Sequence, residues 1–227
     1  MRPISNSQSR TDRRFSSIFG ASAALVLAAT ASAWSGGAIV KGDILLPDRG
    51  LEAEARRRDT VIAIRPEAEA SGIGGGKAGD AGKIEIRSDG FSPRVIAVPV
   101  GATVDVVNRD DQVHNPVSSS AAKKFDLGMI AKDETGRVTF DRAGVVRVVS
   151  KAAPSMEAFI VVVDAPYFAT PGASAGYEVS GLPIGAYVAS AWSPFYEPVE
   201  RRFTVAHERE VVRVDLRFET ERRSSAP

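Results

Sequence analysis

The sequence predicts an all-β protein made of two β-sandwiches. Short runs rich in Val, Ile and aromatic residues recur at regular spacing, separated by Gly, Pro, Asn and Asp clusters, which is the pattern of strands joined by turns. Two such runs precede a glycine-rich stretch, a longer series follows it, and further runs close the chain, so one sandwich is expected to interrupt or adjoin the other. Composition is that of an ordinary globular domain, with 44% apolar and 25% charged residues. The 227-residue chain has a net charge of +1, which gives no electrostatic case for a nucleic-acid partner. It contains no cysteine, so packing and not disulfides must hold it together.

The first 33 residues read as a secretory signal peptide. Arg10, Arg13 and Arg14 form a basic region, residues 18–29 are apolar, and Ala31-Ser32-Ala33 is a cleavage site, so export to the periplasm with a mature start at Trp34 is expected. The apolar run is short for a membrane span, which needs about 20 residues; an uncleaved N-terminal anchor is the alternative. No integral membrane segment is expected after cleavage. Residues 34–65 supply the opening strands of one sandwich: 38–46 alternates, Pro47-Asp48 ends it, 48–58 is polar and read as a solvated loop, and 60–64 is a second strand. Residues 66–82 are read as a flexible Gly-rich linker. Gly76-Lys77 within it is no phosphate loop, since Ser71 and Ala78 stand where that motif needs glycine and a hydroxyl residue.

Residues 83–164 form the second unit. Ile84 and Ile86 open a strand. Val95 to Val100 and Val104 to Val107 flank a turn at Gly101, and Asn108-Arg-Asp-Asp breaks the strand to place His114 in a loop. Strands are expected at 137–140, 145–149 and 156–163, with a turn-bounded segment at 125–128 and a turn at 141–144. Phe91, Pro93, Val98, Gly101, Val104, Asn108, Asp110, His114 and Asn115 together resemble the first half of the cupredoxin motif, the blue-copper Greek-key β-sandwich family. In that family the histidine is the first copper ligand.

Residues 165–220 complete the first sandwich, and 221–227 are read as a disordered tail. Gly176, Tyr177, Val179, Leu182, Pro183, Gly185 and Tyr187 resemble the hallmark of the carboxypeptidase regulatory-like, or prealbumin-like, β-sandwich. Strand-like runs follow at 199–205 and 211–218, and Trp192, Phe195 and Tyr196 are expected to cap its core. The combined arrangement resembles the cupredoxin-like periplasmic proteins of the methylamine utilisation type, which implies copper binding or electron transfer.

The second half of the copper motif departs from that resemblance. A blue-copper centre uses two His nitrogens, a Cys thiolate and a weak axial Met. The matching stretch is Val146-Arg-Val-Val-Ser150-Lys-Ala-Ala153-Pro-Ser-Met156, so Ser150 replaces the thiolate and Ala153 the second histidine, while His114 and Met156 remain. A hydroxyl is too hard and too weakly acidic to stand in for a thiolate, and no cysteine elsewhere can supply one. A complete type-1 centre is therefore excluded by the residues, and no cofactor is expected. Two readings of the survivors stay open. His114 and Met156, with Met129, could hold Cu(I) as a residual site; or Met156 fills core space and His114 pins its loop through a ring hydrogen bond. Lys151, beside the vacated positions, disfavours a cation.

No catalytic arrangement stands out. There is no G-x-S-x-G elbow; Ser118–Ser120 and the acids Asp110 and Asp111 lie near His114 in sequence, but such a loop has ordinary turn composition. The chain is thus expected to be a non-catalytic binding or scaffolding protein acting on an unidentified envelope protein, with copper handling as the alternative.

Overall fold

The computed structural model describes residues 36–68, 82–172 and 176–222, and the signal-peptide reading and most of the linker lie outside these. The fold is all-β, one β-sandwich inserted into a second, smaller one. The second sandwich begins with β1 (Ala38–Leu45) and β2 (Val61–Pro66), joined by the helix α1 (Leu51–Arg58). The inserted sandwich runs through β3 (Gly82–Arg87), β4 (Gly90–Ser92), β5 (Val95–Pro99), β6 (Thr103–Asn108), β7 (Pro116–Ser119), β8 (Lys124–Asp126), β9 (Thr135–Thr139), β10 (Gly144–Ser150) and β11 (Ala153–Val163). The chain then returns through β12 (Tyr167–Ala169), β13 (Gly176–Leu182), β14 (Gly185–Trp192), β15 (Val199–Val205), β16 (Val211–Arg213) and β17 (Leu216–Arg217).

Strand pairing separates the two units. β1 pairs with β13, β16 and β17, and β2 lies between β12 and β14, so strands before and after the insertion share sheets. The inserted sandwich has its own two sheets, in the orders β4-β3-β6-β9 and β5-β11-β10-β7-β8.

The four sheets enclose three apolar layers. Val40, Ile44, Ile62, Ile64, Leu182 and Leu216 fill the second sandwich, and Ile84, Val106, Phe140, Val148 and Ile160 fill the inserted one. A third layer joins the units: Val61, Ala63 and Trp192 meet Val95, Phe159, Val161 and Val163. Its origin is visible in the alternation of two strands. On β2, Ile62 and Ile64 face the second sandwich's core while Val61 and Ala63 face the seam. On β11, Ala158, Ile160 and Val162 face the inserted core while Phe159, Val161 and Val163 face the seam. Side chains of a strand point alternately to its two faces, so an unbroken apolar run is a strand covered on both. The runs at 61–64 and 158–163 are those strands.

Polar clamps edge the seam. Arg94 forms ion pairs with Glu157 and, at 3.5 Å, with Asp59. Its guanidinium lies 4.9 Å from the Phe195 ring centre, and Arg56 approaches the same ring at 5.1 Å. Burial raises the Asp59 carboxyl, opposed by Arg94.

Four sequence expectations need correction. Residues 51–58 are a helix and not a solvated loop. Leu, Ala, Glu and Arg are strong helix formers, the acids Glu52 and Glu54 fall in the first turn and the arginines in the last, and Glu52 pairs with Arg56 at 2.7 Å. Trp192 packs in the seam, 5.6 Å from Phe159, and does not cap the second core. The run at 211–218 is two short strands, because at the break Val214 O accepts the Tyr177 hydroxyl at 2.6 Å and the Asp215 carboxylate accepts the Asp43 N–H at 3.0 Å. Glu221 and Arg222, expected in the tail, are held: Glu221 bridges Tyr196, and Arg222 N–H donates to Phe195 O at 2.8 Å.

Candidate functional site

The His114 loop is built from the end of β6. Asn108 is fully buried. Its Nδ2 donates to Gln112 O at 2.7 Å and to Ile130 O at 2.9 Å, and its Oδ1 accepts the Asp110 N–H at 2.9 Å. An Asn that bonds the backbone two residues on forms an Asx turn, and here the turn folds 109–113 back over the strand end. It leaves the Asp110 carboxylate against the ring of His114. The His114 backbone is fixed separately, by a two-way bridge with Ile130: His114 N–H to Ile130 O at 3.1 Å and Ile130 N–H to His114 O at 2.7 Å.

Ser150 arrives from the other side as the last residue of β10. It lies opposite Pro116 of β7 and Ala153 of β11. Lys151 N–H donates to Asn115 O at 2.9 Å, tying the turn after Ser150 to the residue after His114.

These two supports close a relay of three side chains. His114 Nε2 is 2.8 Å from Asp110 Oδ2, and His114 Nδ1 is 3.0 Å from Ser150 Oγ. The histidine is 2% exposed and Ser150 fully buried. The His114 hydrogen bond holds the Asp110 carboxyl below the usual carboxylate range; the backbone N–H groups of Asp111 and Gln112 add to this and partial desolvation opposes it. An ionised carboxylate only accepts, so Nε2 carries a proton. In the neutral ring Nδ1 is then an acceptor, and the Ser150 hydroxyl donates to it. Both nitrogens of a buried imidazole are thereby satisfied by the protein.

The four ligand positions read from the sequence are placed as follows. His114 and Ser150 are in direct contact. Ala153 sits opposite Ser150 in register and offers only a methyl group. Met156 is half-buried, packs against the inserted core and lines a surface cleft with Gly90, Phe91 and Arg94. Met129 is 68% exposed. His207 lies exposed in the turn between β15 and β16, within the second sandwich. Lys151 points outward and pairs with Asp126 at 2.7 Å. The residues do not fit a type-1 copper centre: the thiolate and one imidazole are replaced by a hydroxyl and a methyl group, and the remaining imidazole's Nδ1 is already engaged by the Ser150 hydroxyl at 3.0 Å. Among the described residues, no group of three or more His, Cys, Asp or Glu side chains is arranged to hold a metal ion.

The acid–imidazole–hydroxyl order is also that of a hydrolase triad, with Ser150 in the nucleophile's place and not Ser118–Ser120. Geometry decides against that use. A nucleophile must reach a substrate carbonyl, and a fully buried Ser150 offers Oγ no approach. Sequence reasoning missed Ser150 as a partner because it was read only as a lost ligand. The Asp110-x-x-x-His114 spacing inside an Asx turn was the available signal for the other half.

In the second sandwich, the tyrosines of the 176–187 stretch have defined partners. Tyr177 is buried, and its hydroxyl donates to Val214 O at 2.6 Å. Burial raises its pKa well above the usual tyrosine range. Gly42 makes room for this contact: a Cβ there would lie 1.8 Å from Val214 O. Tyr187 donates to Pro183 O at 2.8 Å, closing the β13–β14 turn.

Among solved structures, the chain is similar to a purple cupredoxin from Nitrosopumilus maritimus, at 22% identity over 36% of this chain and 99% of that one, with a TM-score of 0.34. It is similar to an oxidised mutant of amicyanin, at 24% identity over 46% of this chain and 99% of that one, with a TM-score of 0.35. A reduced Cu(I) form of another amicyanin mutant matches at 23% identity over 44% of this chain and 99% of that one, with a TM-score of 0.34. No protein family and no curated protein matches the chain.

Proposed function

We propose that this is an exported, non-catalytic binding or scaffolding protein of the cell envelope, in which a hydrogen-bond relay stands where a cupredoxin holds copper. One observation carries the reading: both nitrogens of His114 are engaged, by Asp110 at 2.8 Å and Ser150 at 3.0 Å. A metal entering there must displace a buried hydrogen bond and gains no thiolate in exchange. The basic, apolar and Ala31-Ser-Ala33 segments at the start of the chain support export to the periplasm, and no helix among the described residues is long and apolar enough to cross a membrane. The hallmark tyrosines and Gly42 support a carboxypeptidase regulatory-like second sandwich, which gives the overall arrangement of the methylamine utilisation type. The partner in this reading is another envelope protein.

Titration with Cu(I) and Cu(II), followed by visible absorption and competition for the metal, tests it. The relay predicts no intense charge-transfer band with Cu(II) and no tight Cu(I) binding that depends on His114. Sub-micromolar Cu(I) binding abolished by His114→Ala would replace it with the copper-handling reading centred on His114 and Met156.

A further inference from the structure

We propose that the gap between β7 and β10 in the inserted sandwich binds a small organic oxyanion, a phosphate or carboxylate carried on a compact apolar body. These strands pair over only two positions, Val117 with Val149 and Pro116 with Ser150. Beyond them β7 departs from β10, and a cleft of about 370 Å³ opens between the two, within the usual size of small-ligand sites, about 300–1,000 Å³. Its far end is closed by a side chain and not by ladder bonds: the Arg147 N–H donates to Ser120 Oγ at 2.9 Å.

The lining has donors in excess. Ser118 Oγ accepts the Ser120 N–H at 3.2 Å and Ser120 Oγ accepts the Arg147 N–H, so each hydroxyl is used as an acceptor and keeps its own proton to donate. Neither hydroxyl proton has an acceptor among the described residues, although Ser118 is only 7% exposed. Ser119 adds a third hydroxyl, on the exposed side of the strand. Arg147 binds Glu157 through Nε alone, at 2.8 Å, which leaves both terminal guanidinium nitrogens without a partner among the described residues. Lys151 spends one of its three protons on Asp126, at 2.7 Å. Asp126 is the one carboxylate in the lining and pairs with Lys151, while Glu157, just outside it, pairs with Arg147, so hydrogen-bond donors and not net charge favour an anion here. Hydroxyl protons and a guanidinium with free terminal nitrogens suit oxyanions. The floor of Val117, Val149 and Phe125 is apolar and calls for more than a bare anion. The serine run is thereby a set of donors lining a cleft.

Arg147 and Lys151 are more than half exposed, so affinity is modest and weakened by salt. Titrate the protein at low ionic strength with phenyl phosphate, benzoate and inorganic phosphate, following backbone amides by NMR. Binding is expected to shift the amides of residues 117–120 and 147–151. Phenyl phosphate or benzoate, whichever head group the site prefers, should bind more tightly than inorganic phosphate by about tenfold, the return on the apolar floor. Arg147→Gln should weaken that ligand by about tenfold or more. Arg65→Gln, an equal change of charge on the second sandwich, should leave it unchanged. Ser118→Ala, which removes one inward donor without touching a charge, should weaken it by a smaller factor. The proposal is overturned if no ligand shifts these amides at tens of millimolar, if the two arginine variants lose affinity equally, or if inorganic phosphate binds as well as the organic anions.

Discussion

The seam between the sandwiches and the His114 relay are both buried, yet they are held by opposite means. The seam is area: Val, Ala, Phe and Trp side chains from β2, β14, β5 and β11, with no hydrogen bond required to hold Trp192 against Phe159. The relay is direction: three side chains, two hydrogen bonds and almost no apolar contribution. Hydrophobic contacts lose strength in proportion to what is cut away. A buried hydrogen-bonded group fails in a step, since removing one partner leaves the other desolvated and unpaired. The space inside a β-sandwich can be filled with apolar side chains or with a satisfied polar set; around His114 this chain has the second.

The comparison breaks most visibly at Trp192. Trp192→Ala removes the largest side chain of the seam and should cost about 3–5 kcal/mol by denaturant unfolding. It should also loosen the two sandwiches from one another, so that probes in each no longer report one coincident transition. A loss under about 1 kcal/mol would mean that Arg94 and Arg56, and not the apolar layer, hold the units together.

Ser150→Ala comes next. It leaves His114 Nδ1 without its donor inside the protein and should cost about 1–3 kcal/mol. Replacing both His114 and Ser150 should cost less than the sum of the two single changes, which is the mark of a coupled pair. Additive losses in that cycle would show that the 3.0 Å contact contributes nothing.

How far each region was legible follows from the same contrast. Area leaves a trace in one dimension. The unbroken runs at 61–64 and 158–163 announce strands covered on both sides, and the motif from Phe91 to Asn115 marks the strand–turn–strand that delivers His114. The insertion was read from a resemblance: the 176–187 stretch is similar to a module that opens with two further strands, and those lie upstream at 38–46 and 60–64. Direction leaves less. Ser150 and His114 are 36 residues apart, and only the fold brings them to 3.0 Å. Helix α1 was missed because an eight-residue helix with one buried residue, Ala53, shows no apolar period. Trp192 was misplaced because an aromatic at the end of an alternating strand does not say which face it takes.

The smallest expected effect is in acid. The Asp110 carboxyl is held below its unfolded value by His114. Its contribution to stability is therefore full above the ordinary aspartate range and is lost as pH falls through the lowered folded value. Asp110→Asn should flatten the decline of stability with acid in that window and change little at neutral pH beyond a constant offset. An unchanged acid slope would show that Asp110 carries no such linkage.

The central claim is that the protein itself occupies both nitrogens of His114. Nitrogen-15 NMR of the imidazole at neutral pH, recorded before and after addition of Cu(I), tests it most directly. The account predicts a single neutral tautomer with the proton on Nε2, an Nδ1 that accepts a hydrogen bond, and spectra unchanged by the metal. A ring protonated on Nδ1 and bare at Nε2, or an Nδ1 resonance that moves to a metal-bound position when Cu(I) is added, would contradict it.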